Sequence, residues 1–131
     1  MLLSITTLDN LEKEAQDIDD FLNITCSEDP NECVVRGLDL MTYLARSSKM
    51  LADAKYHLDE ATKNSILNEL KENIGLSPSM FKELVKATCK RENYIVNWVD
   101  RLNSSIVHQL DFLRTIISKA KAEQYQTRNI Q

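Results

Sequence analysis

Gly37, Gly75, Pro30 and Pro78 are all the glycines and prolines in a chain of 131 residues. That scarcity constrains the fold more than any other feature. Sandwiches and barrels of short strands turn on glycine and proline every few residues, so an all-β fold is excluded. A parallel α/β fold also needs breakers at each crossover. What remains is an all-α protein of few, long helices. The length suits one domain, and a hydrophobic content of 43% is too high for a disordered chain.

The prolines also mark where helices begin. Asp29-Pro30 and Ser77-Pro78 each place a capping residue before a proline at the first helical position. Glu32, three residues after Asp29, completes the pattern of a capping box, and Thr6 with Asp9 forms another, in competition with Asp9 and Glu12. Gly75 suits a left-handed helix terminus. The expected segments are a helix over 7–26, a long helix over 30–73, a short one over 78–90, a long one over 93–124 and a frayed tail over 125–131. The first carries an apolar stripe of Leu8, Leu11, Ala15, Ile18 and Leu22. The second has a stripe that includes Val34, Leu38, Met41, Leu44, Ser48, Lys55, Leu58, Thr62, Ile66 and Leu70, with Ser47-Ser48 the natural place for a bend. The last long helix reads Ile95, Val99, Leu102, Ile106, Leu110, Leu113, Ile117 and Ala120. A helix of about 43 residues is about 65 Å long, whereas a compact chain of this size is about 36 Å across. The expected architecture is therefore an elongated antiparallel helical hairpin or bundle of about four helices, two of them long.

Charge is unevenly placed. Residues 1–33 hold nine acids against the single Lys13, while the whole chain is −4, so the remainder is +4. An acidic first helix facing a mildly basic body implies complementarity within the chain, or an acidic arm for a basic partner. No apolar run is long enough to span a membrane, and the start Met1-Leu2-Leu3-Ser4-Ile5 lacks the form of a signal peptide. The expected location is the cytoplasm, with Cys26, Cys33 and Cys89 as reduced thiols.

Several side-chain patterns could carry chemistry. Asp53 and His57 stand four apart on one helix, the spacing of an acid that orients a general base; no nucleophile accompanies them. Cys26 and Cys33 are too far apart for a zinc pair, so neither a metal nor a cofactor is expected. A magnesium-dependent nucleotide phosphohydrolase would need acids facing one another across two helices, with Asp17 and Asp20 on the first and Asp53, Asp59 and Glu60 on the second. Lys82, Lys86, Lys90 and Arg91 form the densest basic patch, with Tyr94 and Trp98 following, as a single-strand binder would arrange them. On the last helix Asn97, Arg101, Ser104, His108, Asp111, Thr115 and Ser118 make a polar stripe about 200° from the apolar one, near Trp98.

Two stretches carry a resemblance. Residues 43–56, Tyr-Leu-Ala-Arg-Ser-Ser-Lys-Met-Leu-Ala-Asp-Ala-Lys-Tyr, are one. Residues 93–103, Asn-Tyr-Ile-Val-Asn-Trp-Val-Asp-Arg-Leu-Asn, continuing through His108-Gln109-Leu110-Asp111-Phe112-Leu113-Arg114, are the other. Together they resemble small all-helical proteins of unassigned function from tailed phages and integrated elements of gut bacteria. The resemblance implies a viral or mobile-element origin, hence a place in the cytoplasm of a bacterial host cell or in a virion, and brings no activity with it. It also implies that Lys49, Asp53, Trp98, Arg101, His108 and Asp111 belong to a shared interaction surface. The expectation is a non-enzymatic protein acting through protein–protein contacts and self-association. The alternatives are a nucleic-acid accessory protein and the phosphohydrolase.

Overall fold

The computed structural model describes residues 4–72 and 75–130. Four helices account for most of them: α1 over Leu8–Leu22, α2 over Pro30–Glu72, α3 over Pro78–Thr88 and α4 over Lys90–Ile130. No strand occurs among the described residues. The chain is an all-α protein built on two long helices. At 1.5 Å per residue, the 43 residues of α2 extend about 65 Å and the 41 of α4 about 60 Å.

The two long helices run antiparallel. Arg36 of α2 meets Gln109 of α4, Ser47 meets Asn103, and Thr62 approaches Cys89, so one number falls as the other rises. The short α3 packs on the far end of α2, where Ser65 and Thr88 share a hydrogen bond. Only Cys89 separates α3 from α4, and its N–H still bonds back to the Lys86 carbonyl. Gly75 carries the one positive φ among the described residues, +110°, in the turn before Ser77 caps α3.

Helix α1 lies along this hairpin, parallel to α4 and antiparallel to α2. Asp9 and Glu12 reach Arg91 near the start of α4, and the Leu22 carbonyl accepts from Gln109 further along it. Leu11, Ala15 and Ile18 are fully or almost fully buried and join Leu40, Met50 and Ala54 of α2 and Ile95, Val99, Leu102 and Ile106 of α4 in one core. The aliphatic stripe expected on α4 is the stripe that packs.

Several boundaries differ from the sequence-based expectation. The cap of α1 is Thr7, whose hydroxyl accepts from the Asn10 N–H, rather than Thr6. The helix stops at Leu22, not at 26: Asp17, Asp19 and Asp20 place negative charge at the negative end of the helix dipole, and the Asn23 amide draws off the Asp19 carbonyl. Helix α3 ends at Thr88 rather than at 90, and α4 begins at Lys90 rather than at 93. The tail over 125–130 is helical rather than frayed, because Lys119–Gln126 is a run of good helix formers with no breaker after it. Asn73 and Ile74 at the foreseen end of α2, Met1–Leu3 and Gln131 lie outside the described residues.

The largest correction concerns the seam of α2. Val34, Leu38 and Met41 were expected to pack against α4, yet they are 50%, 62% and 60% exposed. Ser48, Lys55, Ile66 and Leu70 are exposed as well. The buried line is Cys33, Leu40, Ser47, Met50, Asp53, Ala54 and Ser65. The polar members of the seam each have a partner: Asn103 of α4 for Ser47, Thr6 ahead of α1 for Asp53, Thr88 of α3 for Ser65 and the Ser27 carbonyl for Cys33. Ser47 is fully buried yet satisfied, bonding the Leu44 carbonyl at 3.0 Å and accepting from Asn103 at 2.9 Å. Helix α2 passes through Ser47-Ser48 without a break, although both hydroxyls bond back to Leu44.

Candidate functional site

Two arrangements merit a functional reading. The first is a polar ladder on α2. Arg46, Lys49, Asp53 and His57 follow one another at spacings of three and four, so they line one face of the helix. That face holds the extended residues that precede α1. The Asp53 carboxylate accepts the Thr6 N–H at 3.0 Å, His57 Nε2 donates to the Thr6 carbonyl at 2.7 Å, and Arg46 reaches the Thr6 hydroxyl at 3.0 Å. Lys49 bridges Asp53 at 2.5 Å and the Ser4 carbonyl at 2.9 Å. Burial pushes the Asp53 carboxyl up, but the Lys49 ammonium and the Thr6 N–H outweigh it and hold the pKa below the ordinary carboxylate range. Arg46 also forks onto Glu14 of α1, at 2.5 and 2.7 Å.

This ladder changes the reading of Asp53 and His57 as a catalytic pair. They do not orient one another; Asp53 holds the backbone N–H of Thr6 and His57 its carbonyl. Among the described residues no hydrogen bond or ion pair joins Lys49 or Asp53 to Trp98, Arg101, His108 or Asp111, so bonding leaves the six foreseen residues in two parts. Arg101, His108 and Asp111 are exposed with the rest of the polar stripe of α4, and Trp98 is half-buried against the core beside Tyr94.

The basic patch divides too. Lys82, Lys86 and Lys90 are exposed on α3 and at the start of α4. Arg91 is held by Asp9 at 2.6 Å and Glu12 at 2.9 Å, which raise its pKa above the ordinary guanidinium value. Part of the acidic helix thus answers a base of its own chain. The acids that a phosphohydrolase would use are not assembled: Asp53 serves the ladder, Asp20 bonds Gln16, and Asp17, Asp59 and Glu60 are exposed. No group of three or more histidines, cysteines or acids among the described residues could hold a metal ion. None of the described helices is long and apolar enough to cross a membrane.

The second arrangement was not foreseen, because its residues had been assigned to the core. Val34, Gly37, Leu38, Met41 and Leu44 of α2 and Leu110, Leu113 and Ile117 of α4 line an open apolar groove of about 480 Å³. Arg114 and Ser118 sit at its edge. The α2 residues that face α1, Arg36 and Tyr43, stand two positions from Val34, Leu38 and Met41, or about 200° around the helix. The hairpin therefore has two long grooves, one filled by α1 and the other open. Helix α4 also runs on past the start of α2, and its residues 121–129 are all exposed. The only hint in the sequence is that α2 has apolar residues on more of its circumference than one partner can cover.

Comparison of the chain with protein-family models, with curated proteins and with solved structures gave no significant match.

Proposed function

We propose that this chain is a non-enzymatic helical protein that acts through protein–protein contacts, and that its primary contact is with a second copy of itself. The observation that carries the reading is the open groove. Val34, Leu38 and Met41 are large apolar side chains, adjacent on one face and at least half exposed. A contiguous apolar surface of this kind marks an interaction site more often than a free surface.

The occupant follows from a second mismatch in the same molecule. The last turns of α4 have no neighbour among the described residues, with 121–129 all exposed, and isolated helical segments are marginal in water. An uncovered groove and an unaccompanied helix meet each other's needs when two copies exchange them about a two-fold axis, which makes the contact self-complementary. The resemblance to phage and mobile-element proteins fits a part in particle assembly. A nucleic-acid role is less well supported, because Arg91, the guanidinium of the basic patch, already answers Asp9 and Glu12.

Sedimentation velocity across a concentration series tests the proposal. Wild-type chain is expected as a dimer that dissociates on dilution. Met41→Glu and a chain shortened after Lys119 should each be monomeric with unchanged α1–α4 packing by near-ultraviolet circular dichroism. A wild-type monomer at every concentration, or a dimer indifferent to both changes, contradicts it.

A further inference from the structure

The turn between α1 and α2 brings two thiols to one atom. Cys26 Sγ donates to the Ser27 carbonyl oxygen at 3.3 Å, and Cys33 Sγ, from the first turns of α2, donates to the same oxygen at 3.1 Å. The two sulfurs are therefore no farther apart than the sum of those distances. Six residues separate them in sequence, so the closeness is made by the turn, not by a repeat. Both are free thiols. Their exposure differs: Cys33 is buried, whereas Cys26 is half-buried and lines a cleft of about 330 Å³ with Leu22, Arg36, Gln109 and Phe112. Cys89, the third thiol, is buried at the α3–α4 junction against the Thr62 and Thr88 hydroxyls.

We propose that Cys26 and Cys33 form a reversible dithiol–disulfide couple that fastens the α1–α2 turn to the first turns of α2. The oxidant is a small disulfide such as oxidised glutathione. The Cys26 thiolate, reached through the cleft, attacks one sulfur of that disulfide; the S–S bond breaks, and the departing thiolate takes the electron pair and a proton from water. Cys33 then gives its proton to solvent and attacks Cys26 Sγ, expelling the second small thiol. Two protein thiols are oxidised and one small disulfide is reduced to two thiols. Burial pushes the Cys33 thiol up, and Asp29 and Glu32 push it further, which leaves the more exposed Cys26 as the first nucleophile. The Ser27 carbonyl, which loses both S–H donors, is half-buried and can be hydrated. The couple does not depend on the self-association reading.

The test equilibrates the full chain in glutathione buffers of increasing oxidation, quenches by alkylation in denaturant, and maps the peptides by mass. The expected result is an intramolecular Cys26–Cys33 bridge that forms and reverses with the poise, while Cys89 remains alkylatable. The melting temperature of the oxidised chain should rise by about 5–10 °C. Cys33→Ser should instead accumulate a mixed disulfide with glutathione at Cys26, and Cys26→Ser should accumulate none at Cys33. Alkylation of both thiols at the most oxidising poise overturns the proposal, as does a bridge that involves Cys89 or joins two chains.

Discussion

The two grooves of the α2–α4 hairpin are the instructive comparison. One is closed by α1, and the result is a dry core with polar edges: Leu11, Ala15 and Ile18 are buried, and Arg91, Arg46 and Gln109 bind the acids and the last carbonyls of the covering helix. The other has the same helices as walls and apolar side chains of the same size, but none of the described residues over it, so Leu38 and Met41 stay more than half exposed. The difference teaches that apolarity alone does not bring α1 to its groove. The polar groups on its margin, above all the Thr6 ladder and the Arg46–Glu14 fork, set its direction and register. The open groove offers Arg114 at its edge and calls for a helix from elsewhere.

Substitutions that treat the two grooves alike should separate them. Leu11→Ala, under α1, should cost about 3 kcal/mol by equilibrium urea unfolding, because it leaves a cavity in a fully buried site. Leu38→Ala, in the open groove, should change the unfolding free energy of the monomer by less than about 0.5 kcal/mol while weakening self-association. Equal costs would erase the distinction.

Asp53→Asn addresses the ladder that seats α1. It removes a charge-assisted bond from a carboxylate only 4% exposed and should cost about 1–2 kcal/mol at neutral pH. The folded pKa of Asp53 lies below the ordinary value, near 3.9, so its contribution is complete above that value and lost as pH falls through the lowered one. Thermal melts from pH 6 down to 2 should fall less steeply below about pH 4 in the variant than in wild type.

Two smaller effects sharpen the picture. Gly75→Ala should cost about 1 kcal/mol in thermal unfolding, since an L side chain is strained at φ +110° whatever the open space around it. Arg91→Ala should leave the melting temperature unchanged at physiological salt, because its two partners are exposed acids. A clear loss there would mean that surface charge, not the ladder, holds α1 in place.

Much of the fold was legible in the sequence. Pro30, Pro78, Ser77 and Gly75 announce the breaks by local chemistry alone, and the stripe from Ile95 to Leu113 reads as a core face because nearly every seam position is aliphatic. The seam of α2 was hidden for the opposite reason. Its buried positions include Cys33, Ser47, Asp53 and Ser65, which pattern reading places outside, and its exposed positions include Val34, Leu38 and Met41, which pattern reading places inside. The ladder was only half visible. The spacing of Arg46, Lys49, Asp53 and His57 can be seen in the sequence, but their partner is largely the backbone of residues 4–6, which has no side-chain signature.

The central claim is that the open groove receives the α4 extension of a second chain. Isotope-filtered nuclear Overhauser spectroscopy on an equal mixture of labelled and unlabelled chains examines that contact itself. The account predicts intermolecular cross-peaks from the Leu38 and Met41 methyl groups to α4 residues 120–129, and none from Leu11. An absence of intermolecular cross-peaks at the groove methyls, in a sample that sedimentation shows to be dimeric, would contradict it.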